Sequence, residues 1–263
     1  VGSPSLVAGR LGNALYFSTD TATSTYNYLT LGKPADLNFG STVNFSVAYW
    51  AKFNASQVNG DLPFLCSAVN SYGNPGFTFA PSYNLGGWSY SLNGTVQNYG
   101  DDASINDGNW HHLVHSFDRA GNAITYLDGR EVDSRLCTSS GNLDTGNTIN
   151  IGQDTTGTYA ETGAATIDDM AVWRRALTPA EAYAIYYAAT NSNASFDVPG
   201  KVSLKIAQSG GNVVLSCNPG ATLGTLLQAD SVTGPWTEAG AYAPVYEVAP
   251  AAAKKFYRLS FIE

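Results

Sequence analysis

The sequence predicts an all-β protein: a two-sheet antiparallel sandwich with one short helix at its C-terminal end, followed by a small second β domain. Three observations support this prediction. The composition combines 27 Gly and 16 Tyr with only 13% charged residues, which suits many short strands joined by polar turns. Strand-like segments recur at short intervals from Ala14 to Trp173. A helical pattern follows only after them, and 263 residues are enough to bury a large core.

The strand signals are runs of alternating, aromatic or β-branched residues bounded by turn residues. In chain order they read NALYFS, YNYLTL, NFSVAYWAKF, GFTFA, GWSYSL, WHHLVHSF, AITYLDGREV, TINIG and ATIDDMAVW. The Asp128-Gly129 pair is a strong signal for a tight hairpin turn. Short strands at such regular spacing are typical of a sandwich or a barrel.

The segment LTPAEAYAIYYAAT predicts the helix, over residues 179–189. Thr178 is the expected N-cap, Pro179 occupies the first helical position, and Glu181 completes a capping box. We expect this helix to close a first domain over 1–190. A polar, Pro- and Gly-terminated linker follows over 191–200, and alternating segments predict a small β domain over 201–263.

Charge and hydropathy exclude two classes of partner. The net charge is −8, and 13 scattered Lys and Arg form no basic stripe, so we expect no nucleic-acid binding. No apolar run approaches the ~18 residues of a membrane span, so we expect no membrane insertion. The first twelve residues lack a basic start and an apolar segment, which predicts a processed chain or an excised domain.

All three histidines lie within DGNWHHLVHSFD, which invites a metal-site interpretation. The hairpin signal that follows indicates a strand here, with His111, Leu113, His115 and Phe117 on one face. Residues four apart on a strand are separated by about 13 Å, too far for one ion. We therefore expect hydrogen-bonded strand histidines.

The cysteines at 66, 137 and 217 show no CxxC spacing, so a zinc or redox motif is not predicted. Cys66 and Cys137 could form a disulfide if their strands are neighbours. Free buried thiols are the alternative.

Several of these segments together resemble a known family. GRLGNALYFS, FSVAYWAKF, DGNWHHLVHSFD, YLDGREVDS, INIG and IDDMAVWRRALTPAEAYAIYY resemble the laminin G-like, concanavalin A-like jelly-roll domain of secreted bacterial proteins, over about residues 9–190. The resemblance implies a two-sheet sandwich that binds ligands or adheres rather than catalyses, a secreted, extracellular location, and a framework role for His111. The tail is similar to small C-terminal β modules of secreted bacterial proteins.

Jelly rolls include glycoside hydrolases and lyases, but the sequence lacks their catalytic patterns. Retaining glycosidases need two carboxylates about 5–5.5 Å apart, and no E-x-D-x-x-E strand occurs among the six scattered Glu residues. No G-x-S-x-G elbow occurs either. The prediction is therefore a protein that is not an enzyme.

The hairpin GWSYSLNGTVQNYG is the predicted ligand-binding surface. A two-residue turn at Asn93-Gly94 would pair Tyr90 with Gln97 and Trp88 with Tyr99, placing these four side chains on one face as a platform for sugar rings. The alternative is that this aromatic face belongs to the core.

Asp168 is the predicted metal ligand. The resemblance places a structural Ca²⁺ beside the carboxylate that precedes the last strand, and hard oxygen ligands suit that ion. The alternative is an aspartate satisfied by backbone N–H groups.

Together these features predict a secreted, non-catalytic carbohydrate-binding module for a neutral polysaccharide or other glycan. Its parent protein would be a larger bacterial protein with a cell-surface or enzyme partner. A protein–protein adhesion or spacer module and a cryptic glycoside hydrolase or lyase are the alternatives.

Overall fold

The computed structural model describes residues 2–56, 62–69, 74–82, 86–100, 104–160, 162–191, 203–209, 212–218, 224–239, 245–248 and 255–261. The described residues form twenty β-strands and one α-helix. All pairs between the strands given below are antiparallel. The all-β prediction is confirmed. The chain divides into two compact units, Val1–Leu177 and Thr178–Glu263.

The first unit is a sandwich of two sheets. Its strands are β1 Ser5–Ala8, β2 Asn13–Asp20, β3 Thr25–Tyr26, β4 Leu29–Gly32, β5 Phe45–Lys52, β6 Leu65–Cys66, β7 Phe77–Pro81, β8 Trp88–Leu92, β9 Val96–Asn98, β10 His111–Phe117, β11 Asn122–Leu127, β12 Arg130–Leu136, β13 Ile149–Ile151 and β14 Gly163–Trp173. A short 3₁₀ helix, Ala35–Leu37, precedes β5. The eight-stranded sheet has the order β1-β2-β14-β5-β10-β11-β12, with β3 paired to β2. The six-stranded sheet has the order β4-β13-β6-β7-β8-β9.

The core lies between the two sheets and is rich in aromatic side chains. Leu113, His115 and Phe117 on β10 share the face that lies in the core, as the period of two predicts, and the opposite face of β10 is buried as well. Phe39 stacks on Phe45 with ring centroids 4.1 Å apart. The largest fully buried side chains are Phe17, Phe39, Phe45, Tyr49, Phe53, Phe64, Phe77, Phe79, Trp88, Tyr90, Phe117 and Tyr126.

The outer face of the six-stranded sheet is polar. Its cross-strand pairs align a row of small polar side chains at right angles to the strands, namely Asn150, Cys66, Thr78, Ser91 and Gln97. All of them except Gln97 are buried. This face is therefore not an open polar surface.

Cys66 and Cys137 are free and buried. The disulfide between them is not formed, and the alternative of buried thiols is confirmed. The Cys66 thiol hydrogen-bonds to Thr78 Oγ1 at 3.1 Å. Burial raises the pKa of the Cys137 thiol.

The predicted helix is present as α1, Pro179–Asn191. Thr178 and Glu181 form the expected capping box: Glu181 N–H donates to Thr178 Oγ1 at 3.3 Å, and Thr178 N–H donates to Glu181 Oε2 at 2.9 Å. This helix belongs to the second compact unit, whereas the predicted domain boundary lies at 190. Of the predicted linker 191–200, all but Asn191 lies outside the described residues.

The second unit also contains two small antiparallel sheets. Its strands are β15 Ser203–Ser209, β16 Asn212–Asn218, β17 Gly224–Ala229, β18 Thr237–Glu238, β19 Val245–Val248 and β20 Phe256–Phe261. They pair in the orders β15-β16-β19 and β18-β17-β20. The Arg258 guanidinium lies 4.4 Å from the centroid of the Trp236 ring, a cation–π distance.

Candidate functional site

The predicted sugar platform does not form, because the β8–β9 hairpin has a different register. Its turn contains three residues, Asn93 to Thr95, and the structure pairs Leu92 with Val96 and Tyr90 with Asn98. The predicted pairing of Tyr90 with Gln97 is wrong by one residue. Such a shift moves one strand's side chains to the opposite face.

Trp88 and Tyr90 therefore face the core, while Gln97 and Tyr99 face outward. The first two rings are at most 1% exposed and lie within 6 Å of the His115 ring. Gln97 Nε2 lies 3.4 Å from Ser91 Oγ. Tyr99 is 38% exposed. Of the four predicted residues, only Tyr99 presents an open aromatic surface, and the core alternative holds for Trp88 and Tyr90.

The three histidines point to three different environments. His115 lies in the core, and burial lowers its pKa to about 3. His112 is buried on the opposite face of β10, where burial lowers its pKa to about 4. His111 is partly exposed, and its hydrogen bond to Asp128 raises its pKa. Among the described residues, no three His, Cys, Asp or Glu side chains form a group that could hold a metal ion.

Asp168 holds the turn between β1 and β2. Its Oδ2 accepts hydrogen bonds from the backbone N–H groups of Arg10, at 2.7 Å, and Leu11, at 3.0 Å. Its Oδ1 accepts from the N–H group of Asp169 at 2.9 Å. A Cβ atom on Gly9 would come within 2.4 Å of Oδ2, so this close approach requires glycine.

These contacts do not fit a calcium site. A Ca²⁺ ion needs six to eight oxygen ligands, whereas both oxygens of Asp168 meet backbone donors, whose partial positive charge opposes a cation. The contacts match the alternative, an aspartate satisfied by backbone N–H groups. Calcium binding at Asp168 stays a prediction.

A pocket of about 350 Å³ opens beside the six-stranded sheet. One wall comes from three described residues between β6 and β7, and the other from the loop between β12 and β13. The lining residues of the two walls are Val69, Asn74 and Pro75, and Asn142, Asp144, Thr145 and Asn147. We call this cavity the 69–147 pocket.

The second wall is held by its own hydrogen bonds. Asp144 Oδ1 accepts from the N–H group of Gly40 at 2.9 Å. Thr145 Oγ1 and Asn147 Nδ2 both donate to the carbonyl oxygen of Ser67, at 3.4 and 3.2 Å. The loop is thereby tied to the segment that precedes β5 and to the residue that follows β6, and its polar side chains are held in place before any ligand arrives.

Three polar side-chain groups of this wall can form further hydrogen bonds. Asn142 Oδ1 accepts from the Asp144 N–H group, which leaves Nδ2 as a donor. Asp144 Oδ2 and Asn147 Oδ1 are acceptors without a hydrogen-bond partner in the described part of the chain. This wall thus offers one donor and two acceptors, opposite the apolar side chains of Val69 and Pro75.

No motif in the sequence predicted this site. The only local signal is the density of Asn, Asp, Thr and Gly in GNLDTGNTIN, a composition that also marks ordinary turns. The opposite wall comes from a segment about seventy residues earlier, and nothing local relates the two.

Comparison with known proteins places this architecture in a family. Residues 23–182 match the Concanavalin A-like lectin/glucanases superfamily, in its laminin G branch. The chain belongs to this superfamily. A search of the curated proteins found no match.

Among solved structures, this superfamily member is similar to binding domains of clostridial toxins. The binding domain of Paraclostridial Mosquitocidal Protein 1 aligns with a TM-score of 0.60 and 15% identity, over 89% of this chain and 56% of that one. The binding domain of botulinum neurotoxin serotype G aligns with a TM-score of 0.54 and 11% identity, over 94% and 76%. The binding domain of botulinum neurotoxin DC, in complex with rat synaptotagmin II, aligns with a TM-score of 0.54 and 12% identity, over 82% and 56%.

At these identities the likeness concerns the fold alone. The chain spans little more than half the length of the mosquitocidal binding domain. Within the described residues, no helix has the length and apolar character that crossing a bilayer requires.

Proposed function

We propose that this protein is a non-catalytic carbohydrate-binding module of a secreted bacterial protein, and that a neutral saccharide occupies the 69–147 pocket. The observation that carries the proposal is the combination of uncommitted donor and acceptor groups with an apolar surface in one preformed cavity. Its volume of about 350 Å³ falls at the small end of the range typical of ligand pockets.

The chemistry of the lining suits sugar hydroxyls, each of which both donates and accepts hydrogen bonds. Two hydroxyl groups can donate to Asp144 Oδ2 and Asn147 Oδ1, while a third oxygen accepts from Asn142 Nδ2. The carboxylate bond is charge-assisted and therefore the strongest of the three. The apolar surfaces of Val69 and Pro75 are available to the C–H groups of a sugar ring.

The charge of the pocket favours a neutral ligand. No Lys, Arg or His is among the described residues that line the pocket, and Asp144 supplies a negative charge. The whole chain carries a net charge of −8, which repels polyanions at low salt. Polymers of uronic acids or sulfated sugars should therefore bind more weakly than their neutral counterparts.

The residues that line the pocket favour saccharide binding over saccharide cleavage. The family name joins lectins with glucanases, and glycoside hydrolysis ordinarily uses a pair of carboxylates. Asp144 is the single carboxylate among the residues described as lining the pocket. A cryptic hydrolase or lyase would release reducing ends or unsaturated products from a bound polysaccharide, and we expect none.

One observation favours the second candidate, a protein-adhesion module. The botulinum neurotoxin DC binding domain, which shares the fold, was crystallised with a protein, rat synaptotagmin II. An adhesion module would bind no saccharide on a glycan array and would leave insoluble polysaccharides uncoated.

The test uses the whole chain on a glycan array and in pull-downs with insoluble neutral polysaccharides, followed by titration calorimetry with the best ligand. Asp144→Asn keeps an oxygen that accepts from Gly40 N–H but removes the anionic acceptor, so we expect affinity to fall by about tenfold or more. Glu131→Gln removes the same charge from an exposed position on β12 and should leave affinity unchanged. The absence of saccharide binding by the parent protein, or equal affinity of both variants, would overturn the proposal.

A further inference from the structure

Asn93 hydrogen-bonds to residues of both sides of the 69–147 pocket. It begins the β8–β9 turn in the left-handed backbone region, with φ of 51°, which asparagine tolerates better than most residues. Its N–H group donates to the Gly76 carbonyl oxygen at 2.7 Å, and its Oδ1 accepts from the Gly76 N–H group at 2.7 Å. Gly76 follows Pro75, so these bonds hold the first wall.

The same side-chain amide also holds the second wall. Asn93 Nδ2 donates to the carbonyl oxygens of Ser140, at 2.6 Å, and Asn142, at 2.8 Å. Asn142 itself lines the pocket. One planar group thus joins both walls, with its acceptor on one side and both donors on the other.

Further contacts pack residues 139–141 against the side-chain amide of Asn93. A Cβ atom on Gly141, whose φ is +63°, would lie 3.3 Å from Asn93 Nδ2. Thr95 Oγ1 donates to the Ser139 carbonyl oxygen at 3.0 Å. The Arg119 side chain, which is 6% exposed, donates to Ser140 Oγ at 2.7 Å and to the Gly141 carbonyl oxygen.

Position 93 needs a residue that tolerates the left-handed backbone and whose side chain has both a hydrogen-bond acceptor and two N–H donors. No other residue type combines these properties. Aspartate tolerates the left-handed backbone and retains the acceptor, but a carboxylate has no donor for two carbonyl oxygens. Glycine tolerates the backbone and provides neither group. Glutamine provides both groups on a side chain that is one methylene longer.

We infer that Asn93 is the positioning residue of the pocket: it sets the distance between the walls and so places Asn142 and Asp144 for the ligand. This inference rests on the proposed function. Asn93 itself does not line the pocket, and its influence on affinity acts through the loop that it holds.

The experiment compares the parent protein with Asn93→Asp and, as a control, Asn13→Asp, which adds the same charge at an exposed residue of β2. Hydrogen exchange of the free proteins should accelerate about tenfold or more in 139–147 for Asn93→Asp, with unchanged exchange in β5 and β10. Affinity for the saccharide identified on the array should fall by a similar factor. Should Asn93→Asp fail to fold, Asn93→Gly tests the same bonds.

The pH dependence of affinity distinguishes a positioning role of Asn93 from a general loss of stability in the variants. As pH falls towards about 4, the introduced carboxyl group takes up a proton and regains one O–H donor. The affinity ratio between Asn93→Asp and the parent should then narrow, whereas Asn93→Gly should show no such recovery.

The outcomes separate the two proposals. If the parent protein binds no saccharide, the proposed function and this inference are both wrong. If the parent binds and Asn93→Asp binds equally well, or exchange in 139–147 matches that of Asn13→Asp, only the role of Asn93 is overturned.

Discussion

The hydroxyl group of Tyr49 lies 3.0 Å from Nε2 of His115 in the middle of the sandwich core. The other ring nitrogen, Nδ1, lies 3.0 Å from Thr125 Oγ1. Burial raises the pKa of Tyr49 and lowers the pKa of His115 to about 3. Both side chains are therefore neutral at physiological pH, and their polar atoms are satisfied within the core.

This neutral histidine makes the fold sensitive to acid. Below about pH 6.5 the unfolded chain protonates His115 while the folded protein does not, so the free energy of unfolding falls by up to about 1.4 kcal/mol per pH unit. The loss continues until the folded pKa of about 3 is reached. We expect His115→Gln to reduce this slope between pH 6 and 4, measured by urea unfolding. Parallel curves for parent and variant would contradict the prediction.

His111 should contribute with the opposite sign. Its Nδ1 lies 2.9 Å from Asp128 Oδ2, and this hydrogen bond raises its pKa. A raised folded pKa stabilises the protein below the unfolded pKa of about 6.5, and this contribution is lost as pH rises through the folded pKa.

Asp128→Asn provides the matched test, because it keeps an acceptor for the His112 N–H group, which donates to Asp128 Oδ1. The variant should lower the pKa of His111 in an NMR titration. It should cost less than about 1 kcal/mol of stability at pH 6, because the pair is partly exposed. At pH 9 the two proteins should unfold at the same urea concentration, and a persistent difference there would disprove the assigned charge.

Asp168 should matter for stability whether or not it binds calcium. Asp168→Ala leaves three backbone N–H groups without their acceptor, and we expect a loss of about 2–4 kcal/mol in urea unfolding. A structural Ca²⁺ would add a second effect: chelator would lower the melting temperature of the parent protein, and added Ca²⁺ would restore it. The three donors favour the opposite result, an unchanged melting curve in chelator.

Truncation of Trp88 should destabilise the protein, whereas truncation of Tyr99 should not. Trp88→Ala empties a core position and should cost about 3–5 kcal/mol of stability. Tyr99→Ala, at a residue that is 38% exposed, should change stability little. If the exposed ring stacks on a polysaccharide, the Tyr99→Ala substitution should reduce the amount of protein that is pulled down by that polymer. A large loss of stability in Tyr99→Ala would show that the ring belongs to the fold.

The local sequence pattern predicted the structural features that depend only on neighbouring residues. The alternation of β10 predicted that Leu113, His115 and Phe117 share one face of the strand. The capping box at Thr178 and Glu181 predicted the start of the helix to the residue. The β8–β9 hairpin shows the limit: Asn93-Gly94 signals a turn, but the strands pair Leu92 with Val96. The Asn93 amide bonds to Gly76 and Ser140, which no local pattern contains.

By itself, the sequence determined the all-β class, the strand segments and the helix, because strand and helix periods and capping groups act over a few residues. Only the tertiary structure decided which aromatic rings are core and which are exposed, since that depends on hairpin register. It alone also brought Asn74 and Pro75 opposite Asn142 and Asp144 around the amide of Asn93. The two walls lie about seventy residues apart in the chain, and the Asn93 hydrogen bonds that join them exist only once both sheets have formed.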